Sequence, residues 1–349
     1  MRAITIEPGL ANSARLEDFP EPPQSEGALL VRTLALGVCG TDHEMLSGLY
    51  GAAPPGQTRL ILGHESLGVI EDAPAVGKFK PGDVVVGVVR RPDPVPCEAC
   101  ANNEWDMCRN GLYTERGIKE RHGYGAELFR LEPEFAVAAD PALGITAVLT
   151  EPASVVAKAW DHVEKIGRRS ASWVPRTLLV TGAGPVGLLA ALMGRQRHLD
   201  VHVLDHHRDG PKPGIVRDLG ATYHPEPESL RDLQFDVVME CTAVSSVIAA
   251  AISRCAPDGI VCLVGVSMPG GKSEFDIGGF NRKLVLNNEV VFGTVNANLK
   301  HFSAAAGALS EADSGWLGRL ITRRVPLARW QEALEKRSDD IKVVIDFGL

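Results

Sequence analysis

The chain has 349 residues, 45% of them hydrophobic and 23% charged, ordinary proportions for a soluble globular protein and enough length for two domains with separate cores. A formal charge of −8 argues against a nucleic-acid surface. No apolar stretch of the roughly 20 residues needed to cross a bilayer stands out, and the start M-R-A-I-T-I-E-P lacks the apolar core of a secretory signal, so a cytoplasmic protein without membrane or nucleic-acid partners is expected.

The first 150 residues read as β-rich. Strand-like runs at 28–36, 66–71 and 83–89 alternate with Gly/Pro punctuation, and Pro81-Gly82-Asp83 is a turn feeding a strand of a barrel-like fold. Within this stretch stand Cys39, in G-V-C-G-T-D, and His64-Glu65, in L-G-H-E-S-L-G-V; Glu151 opens E-P-A-S-V-V further on. Thiolate, imidazole and carboxylate together form the ligand set that suits zinc, and an open coordination position is what a catalytic zinc requires. Thr41, two residues from Cys39, can place a hydroxyl where a proton leaves, while Asp42 suits the orienting of His64 rather than ligation.

Cys97-x-x-Cys100-x7-Cys108 has metal-ligand spacing in a loop rich in Pro and Asn. Three thiols suit a structural zinc that needs a fourth ligand, and Asp93 could supply it. The other cysteines, Cys241, Cys255 and Cys262, lie in apolar surroundings and read as small buried hydrophobes. Seven cysteines in a chain of this kind suggest no disulfide framework.

From about residue 152 the pattern changes. An apolar helical stretch at 154–165 precedes short hydrophobic strands at 177–180, 201–204, 236–239 and 259–264, with 290–295 able to extend the sheet. Strand and helix in alternation predict a doubly wound parallel sheet. After the first of these strands comes T-G-A-G-P-V-G, in which Gly182, Gly184 and Gly187 take the glycine positions of a dinucleotide fingerprint. A helix over 186–193, entered through Pro185 and Val186, would aim its N-terminal N–H groups at a pyrophosphate. Asp205 ends the next strand, where a carboxylate accepts ribose hydroxyls and favours NAD. The following His206-His207-Arg208 offers positive charge to a 2′-phosphate, so NADP stays open.

The tail carries a helix candidate at 327–336 and a strand-like run at 342–347, and 304–306 reads as helix. It resembles the first stretch more than the middle. The expected organisation is therefore a catalytic domain of residues 1–153 and 297–349 interrupted by a nucleotide-binding domain of residues 154–296.

Taken together, G-V-C-G-T-D, G-H-E, P-G-D-V-V-V, the cysteine loop, E-P, G-A-G-P-V-G and the closing I-K-V-V resemble the zinc-dependent medium-chain dehydrogenase/reductase superfamily over essentially the whole chain. Within it the chain is most similar to the glucose 1-dehydrogenases, through V-R-R-P (89–92), D-M-C-R-N-G-L-Y-T-E-R-G-I (106–118), H-G-Y (122–124), G-G-F-N-R-K-L-V-L-N-N (278–288) and G-T-V-N-A-N-L-K-H-F (293–302). The resemblance implies an α/β protein, with a GroES-like β-rich catalytic domain and an inserted Rossmann domain. It implies a catalytic zinc on Cys39, His64, Glu65 and Glu151, with the two glutamates able to exchange. Thr41 matches the proton-relay hydroxyl, Glu115 a sugar-contacting carboxylate, and Asn296 a residue near nicotinamide and sugar.

Two departures stand out: Pro94 occupies the first cysteine position of the usual four-cysteine lobe, and His206-His207 stand where NADP-preferring members tend to carry paired arginines. The implied activity is oxidation of an aldose, D-glucose first, at C1 to the aldonolactone, with NAD or NADP. A homodimer or homotetramer paired through the 290–295 strand is implied too. Alternatives are a polyol, aminocyclitol or secondary-alcohol dehydrogenase of the same fold, or a cofactor-binding protein without turnover.

Overall fold

In the computed structural model, which describes residues 1–267 and 276–349, the strand Leu29–Gly37 is the spine of the first unit. Leu29, Val31, Thr33 and Ala35 alternate inward and are buried, the period-2 pattern of a strand with one face on a core. It pairs antiparallel with Glu65–Asp72, with Leu128–Leu131 and with Lys342–Asp346. The sheet continues through Val84–Gly87 to Ala136–Ala138 on one side and through Ile321–Pro326 on the other. Met1–Ser154 and Asn296–Leu349 together make this unit, and Val155–Val295 makes the second.

Ile321–Pro326 escapes the sequence reading because Arg323-Arg324 breaks its apolar pattern. Both arginines find carboxylates, Arg323 on Asp340 at 2.7 Å and Arg324 on Asp346. The tail helix is also shorter than 327–336: a 3-10 turn at Leu327–Arg329 leads into Trp330–Ala333 and stops there. The helical run Pro141–Gly167 is long and apolar enough to cross a membrane by length and composition, contrary to the sequence reading. With 78% of its apolar window buried inside the fold, it behaves as a core helix.

The second unit is a six-stranded parallel sheet in the spatial order Thr222–His224, Asp200–Leu204, Thr177–Thr181, Phe235–Glu240, Cys255–Leu263, Val290–Gly293. Numbered along the chain this is 3-2-1-4-5-6, the order whose reversal point faces a dinucleotide. Leu178, Leu179 and Val180 are wholly buried, as a central strand between neighbours on both sides must be. Leu179, Leu230, Phe235, Val238, Ile252 and Val261 share one core, and each side chain of this size contributes about 1.5–3 kcal/mol by burial. Cys255 and Cys262 are buried as expected, whereas Cys241, past the end of its strand, is half-buried.

An ionic hub sits beneath the first unit's sheet. Arg91 and Arg121 both hydrogen-bond Glu132, and Arg116 lies 3.6 Å from the same carboxylate. Burial alone would raise the Glu132 carboxyl, but the three guanidinium groups outweigh it and hold it at about 2, against an ordinary 4.5. A folded-state value below the unfolded one gives stability that is present above about pH 4.5 and drains away as pH falls through about 2. Glu132→Gln is therefore expected to cost about 3–5 kcal/mol at neutral pH, by leaving buried guanidinium groups uncompensated. It should also flatten the acid limb of stability between roughly pH 5 and 2. Denaturant unfolding across pH checks this; parallel acid limbs in both proteins would refute it.

Candidate active site

Cys39 caps the short helix Gly40–Leu46. Its backbone N–H donates to Asp42 Oδ2 at 2.8 Å, and its sulfur accepts from the Asp42 backbone. His64 enters the strand Glu65–Asp72, and Glu65 is that strand's first residue. Ligand atoms of Cys39, His64 and Glu65 all lie within 4.8 Å of one another. His64 Nδ1 stands 3.6 Å from Asp42 Oδ1, and both atoms are buried without a hydrogen-bond partner among the described residues. Thr41 is half-buried in the first turn of the same helix.

Glu151, in the first turn of Thr150–Gly167, is buried outside that three-residue group but acts on its charges. Burial first, then the nearby Glu65 and Asp42 carboxylates, pushes the Glu151 carboxyl up to about 7, with His64 and Lys342 pulling against them. Burial disfavours a charged His64, yet Asp42, Cys39 and Glu151 more than offset this and raise it well above its ordinary value. Cys39, Asp42, Glu65 and Glu151 thus gather a thiol and three acidic groups around His64. Such mixed S, N and O donors, which yield protons to a metal, are the environment a zinc dication fits.

One cation answers part of that charge. Lys342 Nζ donates to Glu65 Oε1 at 2.7 Å, to Oε2 at 2.5 Å and to the Val38 carbonyl at 3.0 Å, with both side chains almost completely buried. The Glu65 carboxylate occupies the space a side chain on Gly37 would need, since a Cβ there would meet Glu65 Oε2 at 2.0 Å. The sequence reading quotes Lys342 in the closing I-K-V-V but assigns it no role. Its signal is a lone lysine inside the apolar run I-K-V-V-I.

Glu115 and Asn296 come together, 181 residues apart in sequence. Asn296 Nδ2 donates to Glu115 Oε1 at 2.8 Å, and Arg90 adds bonds to the same oxygen from Nε at 3.0 Å and Nη2 at 2.9 Å. Glu115 is buried on the strand Thr114–Arg116, so it is no loop charge. Arg90 lies 3.7 Å over the Tyr113 ring. The sequence reading quotes Arg90 and Asn298 in its motifs without giving either a role; Asn298 ties the same tail segment to Asp106 at 2.8 Å.

In the cysteine lobe, the Cys97, Cys100 and Cys108 thiols gather within 4.8 Å. Backbone N–H groups, that of Arg109 foremost, pull the Cys97 thiol down to about 6, while burial pushes Cys100 up to about 11. The Asp93 carboxylate is not in the group: Oδ1 caps the local turn by accepting from Val95 N at 2.8 Å. Asp93 instead meets Cys100 through a backbone hydrogen bond.

In the second unit the glycine turn joins strand Thr177–Thr181 to helix Pro185–Gln196, with Gly184 as N-cap, Pro185 in the first turn and Val186 half-buried behind it. Gly182 has φ of 92°, a left-handed conformation that favours glycine, and a Cβ on Gly187 would lie 1.8 Å from the Gly182 carbonyl oxygen. Asp205 is already engaged. Oδ2 accepts from Ala183 N at 2.8 Å and lies 3.5 Å from Lys212 Nζ, and Oδ1 accepts from His207 N at 3.1 Å and meets His207 Nδ1 at 2.6 Å. His206 is exposed against the His207 ring, and exposed Arg208 pairs with Glu226.

An S/N/O donor set on a mixed β unit, together with a second unit that is a 3-2-1-4-5-6 parallel sheet with its glycine turn, defines a zinc-type medium-chain dehydrogenase. The family model for the glucose dehydrogenase C-terminus matches residues 144–347, and that for the alcohol dehydrogenase GroES-like domain matches residues 25–141. Glucose 1-dehydrogenase 1 of Caldivirga maquilingensis is 40% identical over 353 residues, covering 100% of this chain and 99% of that protein. Glucose 1-dehydrogenase of Thermoproteus tenax is 41% identical, with 99% of each chain covered. Among solved structures, Haloferax mediterranei glucose dehydrogenase in complex with NADP, Zn and gluconolactone superposes with a TM-score of 0.91 at 32% identity over 99% of each chain. The chain belongs to the glucose dehydrogenase family.

The Lys342–Glu65 pair yields a test of the metal environment. Lys342→Met is expected to destabilise the metal-free protein by about 3–5 kcal/mol, because a buried carboxylate loses the ammonium that hydrogen-bonds both its oxygens. The zinc-loaded variant should lose less, since the dication supplies the missing charge. Denaturant unfolding of both forms measures this, and equal losses would place Glu65 outside the metal's influence.

Proposed function

We propose that this protein oxidises D-glucose at C1 to gluconolactone, passing the hydride to NADP or NAD. The observation that carries this reading is the Cys39/His64/Glu65 cluster in a chain that aligns end to end with glucose 1-dehydrogenases. A bound zinc would supply Lewis acidity that lowers the pKa of the C1 hydroxyl, and a bound dinucleotide would supply the hydride acceptor. Cys39, His64, Glu65 and Glu151 would hold the metal, with the two glutamates able to exchange on it. Asp42 orients His64, and Lys342 keeps Glu65 within reach. Thr41 carries the C1 hydroxyl proton towards solvent.

Glu115, fixed by Arg90 and Asn296, reads the sugar hydroxyls. A buried carboxylate in a rigid network penalises an epimer that leaves it unpaired. The three thiols of the cysteine lobe form a second, structural zinc site, with Asp93 as the candidate fourth ligand through the oxygen that no hydrogen bond occupies among the described residues. Seven free cysteines suit a reducing, cytoplasmic setting. Val290–Gly293 stands at an edge of its sheet, and pairing there gives a homodimer or homotetramer.

The deciding experiment follows NADP and NAD reduction with D-glucose on zinc-replete enzyme, beside a chelator-treated control and a panel of polyols and amino sugars. Chelator-sensitive turnover on glucose is expected. Turnover only on a polyol or aminocyclitol would replace the substrate and keep the chemistry. Cys39→Ser should lose both zinc, by elemental analysis, and turnover while keeping its circular dichroism; an active, metal-depleted variant would overturn the mechanism.

Both cofactors are expected to bind, because Lys212 and His207 offset the Asp205 charge that would otherwise repel a 2′-phosphate. Asp205→Asn should shift the ratio of dissociation constants towards NADP by about fivefold, the order of one partly screened charge. Fluorescence titration with both dinucleotides reads this directly, and an unchanged ratio would remove Asp205 from the cofactor's adenosine end.

A further inference from the structure

The ionic hub around Glu132 is short of negative charge. Arg91, Arg116 and Arg121 share that single carboxylate, and Arg130 makes no ion pair among the described residues. Arg116 is only 1% exposed and spends two nitrogens on the carbonyls of His122 and Arg130, at 3.3 and 2.6 Å. Its Nε, together with Nε and Nη1 of Arg130, is buried without a hydrogen-bond partner among the described residues. A buried, unsatisfied guanidinium N–H costs about 1–3 kcal/mol or more, so such donors call for an acceptor.

Arg116 and Arg130 both line a cavity of about 380 Å³, a volume in the range of small-molecule sites. Phe19, Ile61, Leu128 and Phe129 give it apolar walls. His122 also lines it, and burial with the neighbouring Arg116 pulls that imidazole down to about 4, so it adds no charge at neutral pH. Glu21 and Glu26 line it too. With Glu132 they make three carboxylates against four arginines and the Met1 ammonium, which also lines the cavity, so positive charge is in excess. No residue of this corner belongs to the metal, sugar or dinucleotide groups described above.

We infer that this cavity is a second binding site, taking a monoanionic carboxylate on an apolar body, with the carboxylate on Arg116 and Arg130 and the body against Phe19, Leu128 and Phe129. Guanidinium forks match carboxylates in geometry and charge. The surplus positive charge calls for an anion, and the apolar walls select an aryl or alkyl acid over a sugar acid or a phosphate.

Isothermal titration of benzoate into zinc-replete protein tests this, with saturating NADP and glucose present and acetate at equal ionic strength as control. One saturable site per chain is expected for benzoate and none for acetate. Arg130→Gln should weaken binding about tenfold, the worth of a charge-assisted hydrogen bond. Gln57→Glu, at an exposed position of the same cavity, should weaken it by placing a carboxylate there without touching the core. Both variants should keep the parent's glucose turnover in the absence of benzoate. The inference is overturned by the absence of saturable benzoate binding, by binding indifferent to both substitutions, by displacement with NADP or glucose, or by inorganic phosphate binding where benzoate does not.

Discussion

The buried contact between Lys342 and Glu65 is the constraint on which the first unit's site turns. It joins residues 277 positions apart and exists only because Lys342–Asp346 pairs with Leu29–Gly37 in one register, setting Val344 against Gly37. A slip of one residue would send Lys342 to the opposite face of the sheet. Gly37 must lack a side chain so that the Glu65 carboxylate can lie where it does. Removing both ions from water costs several kcal/mol each before their attraction repays it. The pair is therefore a poor device for stability and a good one for position: it fixes a carboxylate beside Cys39 and His64 while leaving that carboxylate's charge only partly answered.

The same unit solves two opposite electrostatic problems within one sheet system. Around Cys39 and His64 acidic groups outnumber basic ones; around Glu132 guanidinium groups outnumber carboxylates. In a low-dielectric interior neither imbalance is screened as it would be in water. Each is consistent with a guest of opposite sign, a dication in the first case and a monoanion in the second. Asp205 shows the contrasting arrangement. Its carboxylate is balanced within the chain by Lys212, His207 and a backbone N–H of the glycine turn, so it acts on a dinucleotide mainly through the charge it leaves uncancelled.

The parts of this design legible in sequence are those that a short stretch of backbone must build alone. Gly182, Gly184 and Gly187 reveal the turn because left-handed φ and backbone contact exclude side chains there. The strand runs at 177–180, 201–204 and 236–239 carry enough apolar residues to mark a sheet covered on both faces. Cys39 and His64-Glu65 stand out as ligand types in glycine-bounded motifs. Less legible are elements whose sense depends on distant partners. Ile321–Pro326 looks too charged for a strand until Asp340 and Asp346 are seen beside it. Asp93 divides its carboxylate, one oxygen taken by Val95 N–H and the other buried without a partner among the described residues, a division that spacing alone does not reveal.

Substrate reading belongs to this second kind, and the reason is physical. Zinc ligation and pyrophosphate binding need a few atoms set by local geometry, so evolution writes them in compact motifs. A sugar offers several nearly equivalent hydroxyls, and telling one epimer from another takes acceptors and donors fixed against reorientation. Here Glu115 is fixed by Arg90 from an adjacent strand and by Asn296 from 181 residues downstream, three bonds converging on one oxygen. Locking Oε1 in this way fixes the orientation of Oε2. Discrimination among sugars therefore resides in the rigidity of a network drawn from three segments, and Arg90 and Asn296 contribute to it whether or not they touch the substrate.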